Sequence, residues 1–371
     1  MPDFSKPRHL PGPLAVLLLV FCQPAGALQL AEDLELHGVL AASLQCQRLS
    51  ESAGADDRCR GVVPFQPEIE YTPSPTSTLH AGLGFARSNG LNAASPFTLA
   101  PWVADHEDDV RDINGRNRDH LLTAWYRHSF FPSEDASLSV TAGIINASDF
   151  LDDNVYSNDE YTQFMNQALV NAPHALLPAY DAGMAVEWAV DDVVLRGVYM
   201  NIGENDAGNG YSYFGLQLGY THHTTLGEGN YRVMVDTTTE EFPDPRGEAL
   251  ERRHAVLMSL DQQLGEIFGV FVRLGWQDDE PAVNYARLYS GGLDIRGTPW
   301  RRPLDNIGLA YGYLTGGNAE LDHTHVAEAY YRYVINEQLS LTADLQYMKD
   351  ELEDAKGPEG LLFALRTTFE F

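Results

Sequence analysis

From about residue 35 to the end of the chain, apolar and polar residues alternate in segments of roughly ten positions. Val186, Trp188 and Val190 alternate with Glu187 and Ala189. Val270, Val272, Leu274 and Trp276 alternate with Phe271, Arg273 and Gly275, and Leu339 to Tyr347 repeats the pattern with Ser340, Thr342, Asp344 and Gln346 as its wet face. Period two is the mark of a β-strand with one face in apolar surroundings. About sixteen such segments begin near residues 35, 65, 77, 119, 136, 181, 193, 211, 231, 254, 266, 284, 304, 324, 339 and 361. The connections between them read as strictly alternating long and short. Gln47 to Pro64, Asn89 to Arg118 and Ala147 to Tyr180 are long, whereas Pro73 to Thr76, Asp191-Asp192 and Leu264 to Glu266 are tight turns. With an even strand count, both ends of the barrel fall on the side of the short turns.

No stretch after the N-terminal segment approaches about 18 consecutive apolar residues, so no helix is expected to cross a membrane. Strands can cross only when every backbone group is paired, which requires a closed sheet. The pattern therefore predicts an all-β fold, a transmembrane antiparallel up-and-down β-barrel of about 16 strands with short periplasmic turns and long external loops. A secreted β-sandwich or propeller also alternates, but here aromatics recur near strand ends, at Tyr313, Tyr333, Tyr347 and Phe371, where a lipid-interface girdle would lie. The chain closes on LLFALRTTFEF, whose outer face is Leu361, Phe363, Leu365, Phe369 and Phe371 and whose inner face carries Arg366 and Glu370. Such an apolar terminus would fray in water unless it pairs with the first strand.

Charge narrows the partners. Lys and Arg total 24 against 53 Asp and Glu, for a formal charge of -29, which argues against nucleic acid. Residues 1–27 read as a signal peptide: Lys6, Arg8 and His9, then the apolar Leu14 to Cys22, then Ala25-Gly26-Ala27 as a cleavage site. Residues 28–371 would form the barrel. Cys46 and Cys59 remain after cleavage, and in an oxidising compartment they read as a loop-stapling disulfide, with two free thiols as the alternative.

The inward phase places Arg127, Glu187, Arg196, Arg232, Asp261, Arg273, Glu328, Arg332, Asp344, Gln346 and Arg366 toward the lumen, because charge on the lipid face is costly. These are candidate pore-lining residues, with Gly308, Ala310 and Gly312 adding space and positive charge concentrated on an inner wall that is otherwise small and polar. About thirty residues of connection need a function, so 147–180 is the candidate entrance or constriction loop, with Asp149, Asp152, Asp153, Asn154, Tyr156, Asp159, Glu160, Gln163 and Phe164. Its acids, like Asp105 to Asp112, also read as an ordinary solvated charge run. His222-His223 and Asp322 to His325 lack a further ligand at a defined spacing, so no metal or cofactor is expected. Neither G-x-S-x-G nor H-E-x-x-H is present, and an enzyme is not expected. A non-transporting barrel would instead carry bulky apolar inward positions.

Several stretches resemble the carbohydrate-selective porin (OprB) family. They are LLTAWYRHSF (Leu121 to Phe130), SDFLDDNVYSNDEYTQFMNQAL (Ser148 to Leu169), DNIGLAYGY (Asp305 to Tyr313), EAYYRYVINEQLSLTADLQYM (Glu328 to Met348) and LRTTFEF. The resemblance covers about residues 119 to 371. Gly143 is followed by Ile144-Ile145-Asn146 where the family tends to place a basic and then an acidic residue, which bears on sugar selectivity. The resemblance implies an outer-membrane porin of a Gram-negative bacterium, monomeric or homotrimeric, that passes small sugars by passive diffusion. Its partners would be lipid, lipopolysaccharide and the barrel assembly machinery, which recognises a C-terminal aromatic such as Phe371. A general or cation-preferring pore is the rival reading.

Overall fold

A computed structural model describes residues 27–51 and 54–371; the expected signal peptide, 1–27, lies outside them except for Ala27. Sixteen antiparallel staves form the wall. They are β1 (Leu34–Glu51), β2 (Arg58–Ser74), β3 (Ser77–Leu83, continued by Phe85–Arg87), β4 (Leu121–Ser133), β5 (Ala136–Ile145), β6 (Asp181–Val190), β7 (Val193–Ile202) and β8 (Tyr211–Thr224). The chain continues with β9 (Gly227–Thr238), β10 (His254–Leu264), β11 (Phe268–Gln277), β12 (Tyr285–Arg296), β13 (Asn306–Gly316), β14 (Leu321–Val334), β15 (Leu339–Leu352) and β16 (Glu359–Glu370). Each stave pairs with its neighbours in sequence, and β16 pairs back onto β1, with Leu365 opposite Leu44 and Arg366 opposite Ser43. Phe371 then exchanges backbone hydrogen bonds with Gly38, at 2.9 and 3.1 Å. The sheet has no open edge, as a barrel in lipid requires.

The outer face explains the alternation. Leu44, Trp188, Leu218, Phe363 and Leu365 are about half exposed, a continuous apolar surface suited to acyl chains rather than water. Among the described residues no helix is long and apolar enough to cross a membrane. Aromatics gather near the ends of this band: Tyr313 lies 6.4 Å from Tyr289 and 5.0 Å from His325, and Phe371 packs 5.8 Å from Phe369 and 6.2 Å from Phe65. Phe369 shares the outer face but is covered by these neighbours.

Three details differ from the sequence expectation. The first long connection shrinks, because β2 begins already at Arg58, paired with Gln47 just past the cysteines, and β1 runs on to Glu51 against β16. Cys46 and Cys59 are direct cross-strand partners, bonded at 2.02 Å with Cα atoms 4.0 Å apart, so the disulfide joins two paired strands rather than the feet of a large loop. The alternation of loop lengths also breaks near the end of the chain. On the short-turn side, 297–305 forms a longer connection containing the 3₁₀ turn Thr298–Trp300, folded around Asp305, whose carboxylate accepts from Arg302, Tyr331 and the Val334 amide. On the opposite side β13 and β14 are joined by only 317–320.

Candidate functional site

The inner wall has two tiers. Toward the long-loop end it is apolar and large: Met200, Tyr213, Met234, Leu257, Leu288, Leu314 and Met348 point inward and are buried. Nearer the short turns it is polar, with Gln217, Arg232, Asp261, Glu328, Asp344 and Arg366. The expectation of a uniformly small, polar inner face is therefore wrong for the upper tier. What covers that tier is the chain itself. Leu91, Phe97 and Leu99 from connection 88–120, with Phe150, Leu151, Phe164 and Leu169 from 146–180, form one apolar core with the upper wall. Gly308, Ala310 and Gly312 leave space, but Tyr330 and the Ala168-Leu169 turn occupy it.

Loop 146–180 is shaped by local capping before it meets the wall. Asn146 starts the 3₁₀ turn Ala147–Asp149 by accepting from the Ser148 amide at 3.3 Å, and Asn166 caps the short helix α1 (Gln167–Val170) by accepting from Ala168. The lower tier then anchors the loop. Arg273 on β11 donates to Asp152 Oδ1 at 2.9 Å, to Ser157 Oγ and O at 3.0 and 2.5 Å, and to the carbonyls of Leu169 and Val170 at 2.9 and 3.1 Å. Its guanidinium, like Asp152, has no contact with solvent. Asp153 bridges Arg196 and Arg232, both at 2.7 Å, and Arg232 also holds Asp261 at 2.6 Å. Glu328 accepts from the amides of Met165 and Asn166 at 2.6 and 2.9 Å, while Gln346 accepts from Asn166 at 3.0 Å and donates to Asp344 and Pro101 O. Arg366 donates to the carbonyls of Glu160 and Gln163 at 2.5 and 2.9 Å.

The eleven inward candidates thus lie on one face of the wall but do different things. Arg232, Asp261, Arg273, Glu328, Asp344, Gln346 and Arg366 are buried beneath the loop or in its anchors. Arg127, Glu187, Arg196 and Arg332 keep some exposure: Arg127 pairs with Glu187 at 3.2 Å, Glu187 with Arg196 at 3.0 Å, and Arg332 with Glu370 at 3.0 Å. Of the loop candidates, Asn154, Tyr156 and Phe164 are buried in packing, and Asp159 and Gln163 are engaged in the loop's own turns. Asp149 and Asp153 reach open space.

That open space lies against β2 to β4, a cavity of about 340 Å³ whose lining includes Gln66, Glu68, His80, Trp125, Asp149, Asn158 and Glu160. It shares Asn146, Ser148, Glu160, Asn171 and Tyr180 with a second cavity nearer the long loops. The second in turn shares Asp105, Ala179 and Tyr180 with an opening of about 550 Å³ at Asp105 to Asp112. Here the acidic run 105–112 is folded rather than loose: Asp105 accepts from Tyr180 Oη at 2.6 Å and from Gln66 at 2.5 Å, and Asp109 accepts from the His106 amide at 2.7 Å. Trp125 lies opposite Gly143, its register partner on β5, whose φ of +149° suits glycine and where a Cβ would press on the Ala124 carbonyl and the Trp125 Cα. His80 stacks on the indole at 4.6 Å, and the Arg127 guanidinium carbon lies 5.2 Å from its centre.

The loop carboxylates beside these cavities resist ionisation. Burial pushes Asp105 up to about 7 against the opposing hydrogen bonds from Tyr180 and Gln66, and burial with repulsion from Asp159 carries Glu160 up to about 8. Burial, then Glu68, pushes Asp149 up to about 7; its side chain is exposed to the cavity, which tempers the shift, so Asp105 and Glu160 are the more enclosed pair. Sequence reasoning missed Gln66, Glu68, His80, Asp105 and Tyr180 as cavity residues. The alternation of β2 and β3 could have placed Gln66, Glu68 and His80, but the inward docking of the loops carries no sequence period.

The comparisons agree with this architecture. The structure of Pseudomonas putida OprB at high pH superposes with a TM-score of 0.72 over 91% of this chain and 94% of that one, at 14% identity. The outer membrane channel DcaP of Acinetobacter baumannii gives 0.57 over 94% and 100%, at 10% identity. Both likenesses establish the closed β-barrel fold. An uncharacterized protein of Aquifex aeolicus (strain VF5) is 27% identical over 257 residues, 68% of this chain and 72% of that one. Residues 103–371 match the profile of a family described as "Carbohydrate-selective porin, OprB family", and with that match spanning most of the barrel, the chain belongs to this family of outer-membrane porins.

Proposed function

We propose that residues 1–27 are a cleaved signal peptide and that residues 28–371, as a monomer or homotrimer, let mono- or oligosaccharides diffuse passively across the outer membrane of a Gram-negative bacterium. The observation that carries this reading is the row of adjoining cavities beside loop 146–180, lined by hydrogen-bonding groups such as Gln66, Asn146, Ser148, Asp149, Asn158 and Asn171. Sugar hydroxyls donate to such acceptors, and a neutral solute carries no charge to desolvate. Family membership supports the same substrate class. Arg127, Glu187, Arg196 and Arg332 line the route in this reading. Arg232, Asp261, Arg273, Glu328, Asp344, Gln346 and Arg366 hold the loop that narrows it. The outer face meets lipid and, at the external rim, lipopolysaccharide; the barrel assembly machinery inserts the chain through its terminal strand.

One observation favours a second reading, a cation-preferring pore. Most inward arginines are engaged in ion pairs or loop carbonyls, whereas Glu68, Asp149 and Glu160 face the cavity without an Arg or Lys at ion-pair distance among the described residues. Planar-bilayer recording separates the two. Sugar-dependent block of the ionic current with modest selectivity is expected of a carbohydrate path. Strong cation selectivity with no effect of any mono- or disaccharide would overturn it.

A further inference from the structure

The first three staves bring two imidazoles and two carboxylates together on the inner wall near the short turns. His37 on β1 is the register partner of Glu68 on β2, and Glu70 on β2 is the partner of His80 on β3. Alternate positions share a face, so all four point to one spot. His37 Nδ1 lies 3.6 Å and His80 Nε2 3.9 Å from Glu68 Oε2, and one donor atom each from His37, Glu70 and His80 fall within 4.8 Å of one another.

We infer that His37, Glu70 and His80 form a divalent transition-metal site in the barrel lumen, suited to Zn²⁺, with Glu68 or a water completing the coordination. Two imidazoles and a carboxylate are a familiar zinc donor set. Bonds of about 2.0–2.1 Å in a tetrahedron hold donor atoms roughly 3.3 Å apart, so closing the present arrangement takes a shift of about 1.5 Å at most, within the reach of the flexible Glu70 arm. The ring of His80 is already held by Trp125 stacked at 4.6 Å and by Thr123 Oγ1 at 3.0 Å from Nε2, the kind of outer contact that orients a histidine bound to metal through its other nitrogen, here Nδ1. Charge points the same way. Glu35 is the register partner of Glu70, and among the described residues neither Glu68 nor Glu70 has an Arg or Lys partner, while the nearby Arg127 is bound to Glu187 at 3.2 Å. A dication neutralises this excess. Glu68 and His80 line the 340 Å³ cavity, so a bound ion sits in the route and narrows it.

The test uses the full chain, extracted or refolded in detergent, titrated with ZnCl₂ or CoCl₂ alone. One equivalent is expected to bind, with Co²⁺ giving the visible absorption of a four-coordinate nitrogen–oxygen site. His37→Gln, His80→Gln and Glu70→Gln should each lose affinity by more than roughly 10–100-fold, the cost of losing even an outer partner of a metal-bound histidine, while keeping the heat-shifted gel band of a folded barrel. His323→Gln with His325→Gln, on the outer face, should bind as the parent does. Absence of binding, or equal binding by the His37 and His80 variants, overturns the site. If either histidine variant fails to fold, Thr123→Val, which only frees the His80 ring, should still weaken binding. In bilayers, Zn²⁺ added from the short-turn side should reduce the current of the parent but not of His80→Gln; stoichiometric binding without block upholds the ligands and overturns their place in the route.

Discussion

Replacing Arg273 with Ala is expected to loosen loop 146–180 and open the lumen. Arg273 makes five hydrogen bonds, to Asp152, Ser157, Leu169 and Val170, with both members of the Arg273–Asp152 pair fully buried. Removing one partner of a buried ion pair typically costs about 3–5 kcal/mol, because the other charge stays behind uncompensated. Here the orphan is Asp152, a carboxylate with no exposure to solvent, whose remaining bonds run through its backbone, the amide to Gln217 Oε1 at 2.8 Å and the carbonyl to the Asn154 amide at 2.9 Å. That energy falls on the docked loop and not on the barrel ladders, and at about 1.4 kcal/mol per tenfold it raises the undocked population roughly 10²- to 10⁴-fold. Single-channel recording should therefore show discrete states of higher conductance that the parent rarely visits. Arg273→Ala with Asp152→Asn should recover part of the loss, since the double variant no longer strands a carboxylate. If Arg273→Ala keeps the parent's conductance and noise while migrating as a folded barrel, the loop is not what sets the size of the pore.

Three further outcomes follow from the same contacts. Cation preference should decline as pH falls from about 8 to 6: the raised values of Asp105, Asp149 and Glu160, about 7, 7 and 8, mean that these carboxyls are charged above that window and neutral below it, and reversal potentials in a KCl gradient would read the change. A selectivity constant across that window would remove these groups from the route. Trp102→Ala should lower the temperature of the heat-induced gel shift, because the indole is fully buried and donates to Glu160 O at 2.9 Å, and deleting a buried aromatic costs about 3–5 kcal/mol. Deleting Phe371 should reduce the amount of inserted barrel with little change in conductance per channel, since it removes the Gly38 closure bonds and the ring contacts to Phe65 and Phe369; normal insertion levels would argue that the last residue is dispensable.

The wall was legible because period-two alternation is local. Every segment from Leu34 to Phe371 carries its own evidence for which side is wet, and lipid outside penalises any exception. Even there, composition misled at the upper tier. Tyr213, Leu257 and Leu314 share a strand face with Gln217, Asp261 and Gly308, and alternation says only that they point inward, not that another piece of chain is waiting for them. The anchoring of the loop left no local trace at all. Arg273 and Asp152 are 121 residues apart in sequence, and Arg366 meets the Glu160 carbonyl across 206. A charged residue facing inward reads the same whether it lines water or pins a loop, so Arg232, Arg273 and Arg366 gave no sign that their donors were already used. The family resemblance covers about residues 119 to 371, and the Glu68 and His80 wall of the open cavity lies before that part.

The spending of arginines on loop anchors decides what kind of solute the remaining space favours. With Arg273, Arg232 and Arg366 committed to Asp152, Asp153, Asp261 and loop carbonyls, the groups left facing the cavity are mainly acceptors: the carboxylates Glu68, Asp149 and Glu160 and the carbonyl oxygens of Gln66, Asn146 and Asn171. Such a lining repels anions and offers bonds to hydroxyls and cations alike. A sugar path and a cation path are therefore two uses of one lining, separated by its protonation. Because Asp105 and Glu160 change charge near pH 7 to 8, acidification turns acceptors into donors as well, which weakens the pull on cations and leaves hydroxyl groups with partners of both kinds. Sugar block should then persist across the pH range in which cation preference fades, and if the two fade together, hydroxyl recognition depends on the charged form of these acids.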